Sequence, residues 1–481
     1  MNRHVLIINR WTNGFAAYHR YVDHARDRVA YLTTADGRAP LDEELAEEIR
    51  VLPDLLDTRA ALVQVAELVA RHGPFTHVLA LSEFDLELAG EIRRRHGIPG
   101  RGPAEVAAVR DKVVMKARVA AAGLRVPVHR ATPTAAAVRD FAERHGYPFV
   151  LKPRAGADSQ GVHVVSGADR LRDLLDGADL ADAQCEEFID GVLYQVDGVV
   201  RGGRLLTSRS WRCGASCLDF ATGTAFSSIA NDDRDFEKRV TVFAERVCAA
   251  LDLTDDVFHL EVFRTPGDDL VFLEIGARAG GGQVRFVWDE VYGVDLVALS
   301  AQVQLGEEVR VAPMDLDGPV AGYLMMPEPP VRPAVVDAVT TLVDDVPGMY
   351  AETLPAPGTV LSGHGGAVHT AGTFRYAAAD ADAVASAIEQ TLAAYRLDWH
   401  PLGTQPGEEG ARRKAEPTGS TPAAVLETAV PASAVPETAV PGSAAPEAAV
   451  PETAVPGRAV PETAVPEAAG LPAREAPDGR H

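Results

Sequence analysis

Residues 258–278 read FHLEVFRTPGDDLVFLEIGAR, two apolar runs flanking a Pro-Gly-Asp turn, each run interrupted by one glutamate. Apolar runs of this length around such a turn predict a β-hairpin. Centring the turn between Gly267 and Asp268 sets Pro266 opposite Asp269 and Glu261 opposite Glu274. Directly opposed residues share a face of the sheet, with Cβ atoms roughly 4.5–5.5 Å apart. Two carboxylates so placed among Val, Leu, Phe and Ile repel unless they share a proton or hold a cation. Oxygen ligands of this kind suit Mg2+ or Mn2+ better than zinc. Arg278 follows Glu274 by two strand periods, so continued extended backbone projects both from one face. A guanidinium there suits a transferred phosphoryl group or a developing oxyanion. Gly280, Gly281 and Gly282 then expose backbone N–H groups to an anion without any Cβ in the way.

A second constellation is YPFVLKPRAGADSQGV at 147–162. A lysine inside an apolar strand is costly without an anion, so Lys152 calls for one. The loop after it, with Gly156, Ser159 and Gly161, fits a flap over phosphates, although it is not a Walker A loop. EEFIDG (186–191) ends the next strand and suits a hinge whose backbone meets an adenine edge.

Around these motifs the chain is legible in outline. VLIIN (5–9) and THVLAL (76–81) read as buried strands, with a helix between them capped by Asp57 and stopped at Gly73. Alternation of this kind implies a parallel sheet covered on both faces. RDKVVMKARVAAAG forms a helix, Thr134 caps another, and RGGR (201–204) joins two strands in a hairpin. From residue 403 prolines recur every five positions between Pro431 and Pro466 and no aromatic residue occurs, which predicts a disordered, partly polyproline II tail.

Net charge is −23, which argues against general nucleic-acid binding. No apolar run reaches the ~18 residues of a membrane span, and MNRHVLIINRW reads as a first strand, so a cytoplasmic location is expected. Four cysteines do not make a disulfide framework in 481 residues.

Together RDK with Lys112, VLKPRAGADSQG with Lys152, EEFI, FHLE with Glu261, and EIGAR with Glu274 and Arg278 resemble the ATP-grasp superfamily, in its order, over roughly residues 1–400. The resemblance implies an α/β fold: a parallel α/β pre-ATP-grasp domain (1–105), a small lobe with the flap (106–185), and a large lobe with C-terminal subdomain (186–402), α+β within the ATP-grasp part, before the tail (403–481). It implies that Lys112, Lys152, Ser159 and Gly161 contact ATP phosphates and that Glu186, Glu187, Phe188 and Ile189 hold adenine. Glu261 and Glu274 would bind Mg2+ (or Mn2+), and Arg278 would steady an acyl phosphate. Arg285, Gly281, Gly282 and His259 would face the substrates. The implied chemistry is ATP-dependent joining of a small carboxylate to an amine, with ADP and phosphate released, in a protein for which a homodimer is the candidate assembly. Alternatives are a small-metabolite carboxylase and a nucleotide-binding module without turnover. Two departures stand out. Gly276 replaces an asparagine common in the family, and Leu193 stands where many members carry a ribose-binding glutamate, leaving Tyr194 and Asp197 nearby.

Overall fold

The computed structural model describes residues 2–157, 159–363 and 369–403. VLIIN is apolar throughout and therefore needs cover on both faces. It lies in β1 (His4–Asn9), buried along its whole length. Beside it run β2 (Arg28–Thr33), β3 (Glu48–Val51) and β4 (His77–Ala80), all parallel in the order β3-β2-β1-β4. The sequence pattern exposed β1 and β4 but neither the buried β2 nor β3, whose Glu48 and Arg50 pair with each other at a charged sheet edge. The helix Thr58–His72 starts where expected, with the Asp57 side chain accepting from Ala60 N. Its Leu62, Val65 and Leu68 cover one face together with Ile92 of the helix Leu86–His96.

The other face is covered from far along the chain. Val5, Ile7, Val29 and Tyr31 pack on Val297 and Ala301 of the helix Leu296–Gln304 and on Leu305 beyond it. Gln304 also reaches the free edge of β4, where its Nε2 donates to Ala80 O at 3.0 Å and its Oε1 accepts from Ala80 N at 3.1 Å. One carboxamide thus makes both bonds that a neighbouring strand would make.

The next sheet is antiparallel and small: β5 (His129–Ala131), β6 (Phe149–Pro153), β7 (His163–Val165) and β8 (Ala183–Glu187), in the order β5-β8-β6-β7. The helix Ala135–His145, capped by Thr134 as expected, packs Phe141 against Phe149 and Cys185.

The remaining strands are β9 (Val192–Arg201), β10 (Arg204–Cys213), β11 (Phe226–Ala230), β12 (Asp256–Arg264), β13 (Leu270–Gly276), β14 (Val320–Pro327), β15 (Ala334–Val339), β16 (Met349–Thr353), β17 (Val360–Leu361), β18 (Thr370–Ala378) and β19 (Leu397–Pro401). Eight of them form one sheet, β13-β12-β9-β10-β11-β14-β18-β16, and β17-β15-β19 form a small one. β9 and β10 turn at Gly202 and Gly203, both at positive φ (56° and 72°), the backbone of a type I′ hairpin.

The β12–β13 hairpin departs from its expected centre. Thr265 N bonds Asp269 O, so the turn is centred on Gly267, and Val262 pairs with Phe272. A bulge at Leu273 then inserts one residue, which restores Glu261 opposite Glu274. Pro266 and Asp269 are therefore not partners, while the two acids are. The expected proline-rich tail lies outside the described residues.

Candidate active site

The helix Lys112–Ala121 begins at Asp111, whose side chain accepts from Val113 N at 2.9 Å and Val114 N at 3.3 Å. Lys112 and Lys116 are one turn apart and so lie on the same side of the helix. Lys116 is fully buried, its Nζ 3.1 Å from Glu186 Oε2. Lys152, from β6, places Nζ 2.6 Å from Glu186 Oε1 and 3.7 Å from Glu274 Oε2. Lys112 Nζ is 3.6 Å from that same Glu274 oxygen and donates to Gly156 O at 3.0 Å. Five alternating charges thus run from the helix through β8, β6 and β13 and back to the helix. Burial disfavours every one of them, and the neighbours decide the outcome. Burial pulls Lys116 down to about 8 despite Glu186, whereas the carboxylates of Glu186 and Glu274 outweigh burial at Lys152 and raise it. At Glu274 burial opposes ionisation, yet Lys112 and Lys152 hold its carboxyl at about 2. Of the two ways of relieving the opposed acids, proton sharing is therefore not the one this geometry favours.

One rung along, His259 stands between Asp197 of β9 and Gly276 of β13. Its Nδ1 lies 2.8 Å from Asp197 Oδ1, and its Nε2 3.7 Å from Glu261 Oε1. Burial works against the imidazolium, but the Asp197 carboxylate outweighs it and pushes His259 up to about 9. Gln195 on β9 faces Glu261 and accepts from Tyr323 Oη at 3.1 Å. Among the described residues no three His, Cys, Asp or Glu side chains form a metal-binding group. Two facing carboxylates nonetheless fit Mg2+, which takes one or two carboxylates and completes its octahedron with phosphate oxygens and water.

Arg278 corrects the simple strand-period reading. β13 ends at Gly276, and Arg278 turns to Glu83, with Nε 2.6 Å from Oε2, while Nη1 donates to Ala279 O at 2.8 Å. The other Glu83 oxygen accepts from Arg110 Nη1 at 2.8 Å. A Cβ on residue 276 would stand 3.0 Å from Glu83 Oε2, so an acid arriving from the N-terminal sheet occupies the space of the family's asparagine. Gly280 is constrained in the same way: a Cβ there would stand 2.5 Å from Asp197 Oδ1 and 2.9 Å from His259 Nδ1. Gly281 opens into free space. Gly282 adopts φ 56° over Met325.

The remaining expected positions divide. Ser159 and Gly161 both have positive φ (56° and 68°) in the loop after β6, and Asp158 between Ala157 and Ser159 lies outside the described residues. Glu186 is paired in the ladder with both β5 and β6, and its side chain belongs to the two lysines. Glu187 bonds Arg125 and Val128 N. Phe188 and Ile189 follow the strand end with no backbone hydrogen bond among the described residues, so the hinge reading narrows to them, Glu187 N already donating to Val128 O at 2.7 Å. Leu193 is core, Tyr194 packs on Phe236, and Asp197 holds His259, so the expected ribose neighbours are otherwise engaged. Trp211, Cys185, Cys213 and Cys248 are buried. A cavity of about 120 Å3 opens beside Arg278, lined by Trp11, Glu83, Phe84, Ala157 and Arg285 among others.

No protein-family model matches the chain. It is 22% identical over 297 residues to an L-arginine-specific L-amino acid ligase of Bacillus subtilis, across 60% of this chain and 71% of that protein. It is 24% identical over 210 residues to dapdiamide A synthase of Enterobacter agglomerans, across 41% of this chain and about half (49%) of that protein. The structure of an L-amino acid ligase from Bacillus licheniformis superposes with TM-score 0.66 at 18% identity, covering 82% of this chain and 98% of that one. Sequence and fold similarities thus both point to the ATP-grasp carboxylate–amine ligases. A further ATP-grasp structure, the biotin carboxylase domain dimer of Hydrogenobacter thermophilus 2-oxoglutarate carboxylase with MgADP and bicarbonate, superposes with TM-score 0.60 at 14% identity, over 87% of this chain and 92% of that one. Two residues of the candidate site escaped the sequence reading, Lys116 and Glu83, while Asp197 was read beside the ribose and holds His259 instead. Lys116 left a signal, since like charges at i, i+4 are unfavourable unless an anion faces them. Glu83 left none, being 195 residues from the arginine it holds.

Proposed function

We propose that this ATP-grasp ligase activates a small carboxylate as an acyl phosphate and joins it to an amine, releasing ADP and phosphate. The convergence of Lys112 and Lys152 on Glu274, with Glu261 directly opposite, carries the reading. Phosphoryl transfer needs fixed cations where charge develops, because they are already oriented when the barrier is crossed. The two lysines are such cations, aligned by Glu186 and Glu274 before nucleotide arrives. Glu261 and Glu274 would hold Mg2+ or Mn2+, which when bound neutralises phosphate charge and fixes the phosphoryl group. Ser159 and Gly161 close over the phosphates, and Phe188 and Ile189 meet the adenine. Glu186 serves the nucleotide through its lysines. Arg278, aimed by Glu83, takes the acyl phosphate, while His259, Gly281, Gly282 and Arg285 face the substrates. The division at residues 105, 185 and 402 belongs to this reading, supported by the parallel sheet lying within the first segment and the eight-stranded sheet within the third, while β8 (Ala183–Glu187) straddles the boundary at 185. So do a cytoplasmic site of action and a homodimer. Among the described residues no helix is long and apolar enough to cross a membrane.

The test is release of ADP and phosphate, dependent on Mg2+, when pooled amino acids are added, followed by mass spectrometry of amino-acid pairs to name the product. AMP and pyrophosphate instead would remove the acyl phosphate. A requirement for bicarbonate would make the protein a carboxylase, and ATP binding without turnover a non-catalytic module.

A further inference from the structure

Arg285 lies in the first turn of the helix Val284–Tyr292 and lines the cavity beside Arg278. Its guanidinium carbon sits 3.5 Å from the ring centroid of Phe15 and 5.4 Å from that of Trp11. Among the described residues no carboxylate pairs with it, and its buried Nε has no hydrogen-bond partner. Burial, with Arg278 adding to it, pulls Arg285 down to about 10, which leaves it charged at neutral pH. The aromatic walls are held independently of any ligand. Asn9 bonds the backbone of Trp11 in both directions, at 3.0 and 3.1 Å. Asn13 caps the turn that carries Phe15, and Phe15 rests on Phe286 at 5.3 Å. A guanidinium seated on Phe15, with the Trp11 ring beside it at 60° to the Phe15 ring, keeps an edge for a bidentate oxyanion.

We propose that Arg285, clamped by Phe15 and Trp11, binds a substrate carboxylate other than the one that is activated. The inference rests on the ligase reading and names the recognition element of that site. Lys112, Lys152, Glu261 and Glu274 do not line this cavity, whereas Arg278 does. Phosphate chemistry therefore belongs on the lysine side of Arg278, and Arg285 receives the anion that survives the reaction. The cavity of about 120 Å3 is well below the ~300 Å3 at which drug-sized ligand sites begin. The part of the ligand held inside it is therefore small. The anion is either the second carboxylate of the acid or the α-carboxylate of the amine partner.

The experiment measures KM for the amine partner and its α-carboxamide, and for the activated acid and the analogue in which only its second, non-activated carboxylate is a carboxamide, in the wild type, Arg285→Gln, Arg285→Lys and Trp11→Ala. We expect the wild type to prefer the carboxylate in one arm by at least about tenfold. That arm identifies the source. Arg285→Gln abolishes the preference, Arg285→Lys restores it only in part, Trp11→Ala weakens it, and KM for ATP stays within about twofold. Preference retained in Arg285→Gln overturns the proposal, as does a rise confined to KM for ATP, which would assign the clamp to phosphate. If no pair turns over, the ligase reading has failed, and the clamp is read separately through Trp11 fluorescence with L-alanine against L-alaninamide as probes. A carboxylate-dependent change that disappears in Arg285→Gln supports the clamp, and identical responses in the two proteins overturn it.

Discussion

Lys116, fully buried, and Arg285, partly buried, are both cations inside the fold, and the protein treats them in opposite ways. Lys116 sits 3.1 Å from a carboxylate that also holds Lys152, so its charge is balanced from within. Arg285 has two aromatic rings and no anion among the described residues. The difference separates a scaffold from a socket. Charges that hold the site together are paired at folding, and the one that recognises substrate is left to be paired by it. A cation on aromatic faces recovers about 0.5–2 kcal/mol, well short of the several kcal/mol that burial of an ion takes away.

Breaking the balanced side has the largest expected effect. Glu274→Gln should lower turnover by about a thousandfold while the melting curve stays cooperative, because it removes the anion shared by Lys112 and Lys152 and one of the two opposed carboxylates. Ordinary ADP release from that variant would dissolve the paired-acid site. Glu186→Gln should cost about 3–5 kcal/mol in chemical denaturation, since it leaves two buried ammonium groups facing a neutral amide. Arg285→Gln should stay within about 1 kcal/mol of the wild type by the same measurement, with relief of burial offsetting lost stacking. Equal losses in the two variants would erase the distinction.

The comparison also has a pH signature. Burial lowers Lys116 to about 8 in the fold from an ordinary value near 10.5, so the unfolded chain holds the extra proton between those values. The cost of the charged lysine is fully present below pH 8 and relieved as pH rises through that window. Wild-type stability should therefore rise relative to Lys116→Met between about pH 8 and 10.5, read from denaturant midpoints across that range. The smallest effect is expected from deleting residues 403–481, whose composition supports no core. Unchanged ADP release would agree, and lost activity would give the tail a role.

How much of this was legible before the structure depends on the reach of each interaction. The caps at Asp57 and Thr134 were readable because a cap is decided within four residues. The facing of Glu261 and Glu274 was readable from alternation, although the turn centre was one step off and the Leu273 bulge absorbed the difference. Nothing local marks a bulge inside LVFLEIG, where every neighbour is equally apolar. β3 was missed because EIRV is an edge strand, and edges are built from charges that a core-seeking pattern passes over. Glu83 was missed, and Asp197 was given to the ribose instead of His259, because their partners lie in other segments, 195 and 62 residues away. Gly276 looked like a loss in the sequence and turned out to be room for Glu83.

The carboxamide of Gln304 has a further consequence. A parallel sheet of four strands ends in two rows of unsatisfied backbone groups, an open invitation to another chain. At β4 Gln304 closes the row by imitating a peptide unit, and at β3 the rim is four residues long and charged. Both margins of the N-terminal sheet are thus defended against strand addition. Gln304→Ala would expose the Ala80 peptide groups that the fold keeps covered.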